Sequence, residues 1–128
     1  ETLKRTIRTE AIPNIRPILA DIAGRLPLAD ASVDLCLIAT VLHDIAPDHQ
    51  ASALAEAVRV LRPGGVLALV EFKKVDRGPG PPASIRISEQ EAGAMVEEHG
   101  LLETYRGDLG EFTYLLTAVK PQGPTEGG

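Results

Sequence analysis

The chain has 128 residues, 44% of them hydrophobic and 24% charged, with a formal net charge of -5. These values exclude wholesale disorder, fit one globular domain, and argue against a protein that coats nucleic acid. The single cysteine, Cys36, excludes an internal disulfide framework and a multi-cysteine metal site; no apolar run approaches the roughly 20 residues of a membrane-spanning helix, and no secretory signal opens the sequence.

The expectation is a cytoplasmic domain with no membrane or nucleic-acid partner. Its core should be aliphatic, because only 3% of residues are aromatic. Residue 1 is glutamate rather than methionine, so the expectation is that something upstream has been removed or that the chain is part of a longer one.

Thr2 to Glu10 reads as the end of a helix, with Leu3 and Ile7 four apart on one face. Ile12-Pro13-Asn14 breaks it, and Ile15 to Ala20 follows as a short strand that Pro17 distorts or places at an edge. Asp21 to Asp30 is loop and connector. Val33 to Ala39, VDLCLIA, is almost continuously apolar, the pattern of a strand covered on both faces. A helix is predicted from Pro47 to about Leu61, with Leu54, Val58 and Leu61 at i, i+4 and i+7. Arg62-Pro63-Gly64-Gly65 should end it in a turn.

Val66 to Phe72 reads as a second buried strand, and Lys73 to Pro82 as a Gly/Pro-rich loop. Ser88 and Glu91 form a capping box before a helix that places Ala92, Met95, Val96 and His99 on one face. Gly100 stops that helix and Leu101 supplies the hydrophobic contact beyond it. Leu101 to Leu109 and Glu111 to Lys120 make an antiparallel hairpin around Gly110. Residues 121–128 read as a disordered tail. Strands alternating with helices predict an α/β sheet with helices on both faces and one antiparallel strand from the terminal hairpin.

Leu26 to Leu35 resembles the LPF-x-D-x-SFD stretch of class I S-adenosylmethionine-dependent methyltransferases. Val41-Leu42-His43-Asp44-Ile45 is similar to their xLHHI segment, and Arg59 to Gly65 to their RVLKPGG turn. Ser88 to Leu101 resembles their late helix ending EEAGF, and the hairpin fits their reversed last strand. The resemblance covers residues 1–120. It implies a Rossmann-like class I methyltransferase sheet with a C-terminal antiparallel hairpin. The family's opening strand with its G-x-G-x-G loop, and the strand ending in the ribose-binding acid, have no counterpart here, so the N-terminal strands are expected to be missing. Two absent central strands would bare a sheet edge on which a second copy could pair.

The resemblance implies S-adenosylmethionine as cofactor. Asp21 would accept from the adenine amino group and the Ile22 N–H would meet a ring nitrogen. Thr40, Val41 and Leu42 would wall the adenosine and the reactive sulfonium. His43 is the candidate catalytic base for an acceptor hydroxyl or amine, or else a wall of the pocket. Asp44 replaces the family's second His and could orient His43 or meet a cationic acceptor. Lys73 and Arg86, near Lys74 and Glu71, could meet an anionic substrate group or be solvated loop charges. Cys36 reads as a small core residue. His43, His49 and His99 show no metal-ligand spacing.

The leading reading is in-line methyl transfer to a small-molecule acceptor. The alternatives are a non-catalytic truncated domain serving as an interaction or assembly module, and a nucleotide-binding oxidoreductase. The absent glycine fingerprint and the reversed last strand disfavour the oxidoreductase.

Overall fold

The computed structural model describes residue 5, residue 14 and residues 24–40, 42–75 and 78–122. The expected helix over residues 2–10, the strand over 15–20 and most of the 121–128 tail lie outside the described residues. Within them, β1 (Val33–Ala39) leads through a 3-10 turn at Leu42–Asp44 to α1 (Pro47–Val60), and β2 (Leu61–Phe72) follows directly. A second 3-10 turn at Ala83–Ile85 precedes α2 (Glu89–Glu98), then β3 (Leu102–Asp108) and β4 (Thr113–Val119).

The four strands form one sheet in the order β1-β2-β4-β3. β1 and β2 are parallel, and β4 runs antiparallel to both β2 and β3. The terminal hairpin therefore inserts its second strand beside β2, giving the single reversed strand expected from the sequence.

Register sorts the side chains by face. Cys36 lies opposite Leu67 and Ile38 opposite Leu69; Leu67, Leu69 and Glu71 lie opposite Ala118, Leu116 and Tyr114. This face joins Leu54 and Ala57 of α1 and Ala92 and Val96 of α2 in one core cluster. Both described helices thus pack on the same side of the sheet; the expected helix over residues 2–10, which bears on the other face, lies outside the described residues.

The same geometry corrects the reading of β1 as a strand buried on both sides. Only Ile38 is buried, while Leu35 and Leu37 are 61% and 62% exposed. An apolar run on a strand reports what the sequence offers, not whether a second layer covers it.

Each helix ends where local chemistry stops it. α1 begins with Pro47 at its first turn, where a missing N–H costs nothing. Its C-terminal carbonyls at Val58 and Leu61 accept from the Lys120 ammonium at 2.8 and 2.7 Å. The helix stops at Val60, one residue short of its expected end at about Leu61, and the strand starts at Leu61, which pairs with Val33. The expected Pro-Gly-Gly turn becomes an irregularity inside β2. Gly64 has φ +87° and donates its N–H to Lys120 O at 2.7 Å, and a Cβ on Gly65 would lie 2.8 Å from Arg62 O.

In α2 the capping box is present in both directions. At its other end Leu101 N donates to Val96 O and Gly100 N to Glu97 O, each at 3.0 Å, with Gly100 at φ +83°. That is a Schellman motif, and buried Leu101 closes it.

Candidate active site

Ligands of open α/β sheets bind beyond the carboxyl ends of the parallel strands. Here those ends are Ala39–Thr40 after β1 and Glu71–Phe72 at the end of β2. Thr40 has φ +53°, a left-handed conformation that a β-branched residue rarely adopts. Its N–H is still held by Val70 O at 2.8 Å, so the chain leaves the sheet sharply at that point. The 3-10 turn at Leu42–Asp44 then folds back over the end of β2, with Leu42 fully buried in the core. Gln50 of α1 fixes the turn by donating its side-chain amide to Leu42 O and Ile45 O at 3.0 and 2.9 Å.

This return brings His43 onto Glu71, 28 residues later. His43 Nδ1 lies 2.7 Å from Glu71 Oε1, and the His43 backbone N–H donates to Glu71 Oε2 at 3.1 Å. Phe72 N–H donates to Oε1 at 3.2 Å. The two side chains are 5% and 0% exposed. A carboxylate removed from water needs such donors, because an unpaired buried charge costs several kcal/mol.

The other ring nitrogen, Nε2, lies 3.4 Å from the exposed Asp44 carboxylate. The Phe72 ring meets the imidazole edge-on, with centroids 5.8 Å apart. Glu71 was noted in the sequence only as a charge near the end of its strand. No local signal joins it to His43, since the contact depends on the chain reversal at Thr40.

Asp21, Ile22 and Val41, expected at the cofactor, lie outside the described residues. Thr40, Leu42, His43 and Asp44 do come together. Lys73 and Arg86, expected as substrate-binding cations, each have partners within the chain. Lys73 Nζ pairs with Asp108 at 3.1 Å. Arg86 is 4% exposed and donates to the carbonyls of Pro81, Lys73 and Pro79 at 2.7, 3.1 and 3.2 Å, with its guanidinium 5.6 Å from the Phe72 ring centroid. It clamps the Gly/Pro loop onto the end of β2. A Cβ on Gly80 would collide with Phe72, and one on Gly78 with Phe112, so the loop can approach these rings only as glycine.

Cys36 is half-buried against the core, and desolvation pushes its thiol pKa up, which suits packing rather than nucleophilic chemistry. Among the described residues no group of three or more His, Cys, Asp or Glu is arranged to hold a metal. None of the described helices is long and apolar enough to cross a membrane.

The donor chemistry of this corner fits S-adenosylmethionine. The methyl of a sulfonium already sits on a good leaving group, the sulfur, so its site needs orientation and exclusion of water rather than a strong acid. Of the described residues expected there, Thr40 is half-buried at the turn and Leu42 is fully buried in the core.

Comparison with known proteins bears on the family and the fold. Residues 1–69 match the family described as "Methyltransferase domain". The ubiquinone/menaquinone biosynthesis C-methyltransferase UbiE of Ectopseudomonas mendocina is 31% identical over 107 residues, covering 84% of this chain and 38% of that protein. The chain thus spans well under half the length of this curated relative. A SAM-dependent methyltransferase from Aquifex aeolicus superposes with a TM-score of 0.82 at 25% identity, over 91% of this chain and 61% of that one. The 1,6-didemethyltoxoflavin-N1-methyltransferase of Burkholderia thailandensis has the same fold, with a TM-score of 0.74 at 17% identity over 93% of this chain and 56% of the other.

Proposed function

Because the chain belongs to the methyltransferase domain family, we propose that it takes part in S-adenosylmethionine-dependent methyl transfer to a small-molecule acceptor. The observation that carries this reading is the corner at the carboxyl ends of β1 and β2. There a left-handed Thr40 turns the chain and a buried imidazole is fixed beside an exposed carboxylate.

S-adenosylmethionine supplies a methyl group on a positively charged sulfur. The protein's task is to align the acceptor with that methyl and keep water out, and orientation of this kind is worth roughly 7–11 kcal/mol of barrier. Thr40, Val41 and Leu42 form the wall on the cofactor side. Asp21 takes the adenine amino group and Ile22 N–H a ring nitrogen. His43 takes the proton of an acceptor hydroxyl or amine, a service worth about 100-fold or more in rate. Asp44 faces the acceptor side. The acidic chain, with net charge -5, suits a small-molecule acceptor better than a nucleic acid. The setting proposed is cytoplasmic, and β1 offers a surface on which a second copy could pair.

Calorimetric titration with S-adenosylmethionine tests the reading. Micromolar binding that weakens about tenfold in Asp21→Ala, the effect of one lost hydrogen bond, is expected. No heat of binding in a folded sample would overturn the reading and leave the interaction-module alternative.

A further inference from the structure

We propose that Glu71 is a positioning residue that holds the His43 ring with its proton on Nδ1, leaving Nε2 as the nitrogen that accepts a proton from the methyl acceptor. The proposal rests on the methyl-transfer reading and adds the group that gives His43 its direction.

Three N–H groups converge on the Glu71 carboxylate: His43 N at 3.1 Å, Phe72 N at 3.2 Å and the His43 ring at 2.7 Å. The two backbone donors come from separate elements, the 3-10 turn and β2, so the carboxylate cannot rotate away without losing one of them. An ionised carboxylate can only accept. The nitrogen facing it must therefore carry hydrogen, and in neutral imidazole that puts the lone pair on Nε2. Phe72 stands edge-on to the ring and limits its tilt.

The charged and titratable groups around the pair are few. Asp44, on the same turn as His43, faces Nε2 with an exposed carboxylate at 3.4 Å, a longer and solvent-screened contact than the 2.7 Å one between Nδ1 and buried Glu71. Tyr114 pairs with Glu71 in the sheet register but gives its hydroxyl to Ile87 O at 2.7 Å. Arg86 sits beyond the Phe72 ring. Among the described contacts, nothing besides His43 competes for the ring-facing oxygen except the Phe72 backbone N–H. In the proton step an acceptor O–H or N–H bond breaks and an N–H bond forms at Nε2. The acceptor keeps the bonding pair for its attack, and the new imidazolium charge is balanced by Glu71.

The ring nitrogens can be read directly by nitrogen-15 NMR on the full chain labelled at histidine, with His49→Gln and His99→Gln variants assigning the signals. In its neutral form His43 should carry its proton on Nδ1. In Glu71→Gln the amide can donate to Nδ1, so a large Nε2–H population should appear. A neutral wild-type ring protonated on Nε2 overturns the proposal without needing any variant. A folded Glu71→Gln protein with the wild-type tautomer also overturns it. Binding of S-adenosylhomocysteine to the same samples, measured by calorimetry, tests the methyl-transfer reading separately. Binding with the wrong tautomer rejects only the role of Glu71, and the right tautomer without binding rejects only the methyl-transfer reading.

Discussion

At the scale of single residues, buried polar groups are where this small core is most exposed to damage. Tyr114 is fully buried in a core that is otherwise aliphatic. Its hydroxyl donates to Ile87 O at 2.7 Å, and burial, with Glu71 next, pushes the phenol pKa well up. The group is a fixed donor that ties β4 to the segment entering α2. Tyr114→Phe leaves the Ile87 carbonyl without that donor and should cost about 1–2 kcal/mol, read as a lower urea midpoint with an unchanged slope. His43→Ala should cost a similar about 1–3 kcal/mol, because it strips the ring donor from a carboxylate with no access to water. It should also lower the methyl-transfer rate about 100-fold if the ring serves as base. Loss of rate with full stability would show that Glu71 finds another partner.

At the scale of elements, the sequence was most legible where a device is local. The capping box at Ser88 and Glu91, the glycine stop at Gly100 and the closing contact of Leu101 all lie within a few residues, and all three form as read. Gly100 gives a clean test, since a Cβ there would meet nothing within 4 Å. Gly100→Ala should therefore cost only the backbone strain of a left-handed residue, about 1 kcal/mol, with α2 intact by circular dichroism.

The Pro-Gly-Gly turn was less legible. The residue types predict a reversal but not that Leu61 would already pair with Val33 before it. The packing of the 26–31 connector on α1 was not legible at all. Arg59 donates to Glu56, Asp30, Leu28 O and Leu26 O, and Glu56 also accepts from Leu26 N–H at 2.6 Å. The Arg59 hydrogen bond first, then that N–H, lower the Glu56 pKa from an ordinary 4.5 to about 2. A depressed carboxyl stabilises the fold fully above its unfolded value and loses that contribution as pH falls through the folded value. Between pH 4.5 and about 2 the connector should detach. Faster amide exchange at Ala31, whose N–H is held by Arg59 O, would report it, and Glu56→Gln should reduce the pH dependence to the part carried by Asp30, whose pKa Arg59 also lowers.

For the whole molecule, the hardest thing to read from sequence was which apolar residues remain uncovered. VDLCLIA offers hydrophobic side chains to both faces of β1, but both described helices pack on the face of Cys36 and Ile38. Leu35 and Leu37 are left more than 60% exposed on the other. The site suffers from the same blindness, because His43 and Glu71 meet only through tertiary folding, while each looks ordinary in its own segment. Two neighbouring exposed leucines on one strand form an adhesive surface, since burying each side chain fully is worth about 1.5–3 kcal/mol. The 128-residue chain should accordingly self-associate as its concentration rises, and sedimentation velocity should show a mass that grows with loading. Replacing Leu35 and Leu37 together by glutamate should return it to a monomer while leaving the core cluster, and hence the far-ultraviolet spectrum, unchanged. A wild-type chain that stays monomeric at high concentration would show that this apolar face has no bearing on assembly.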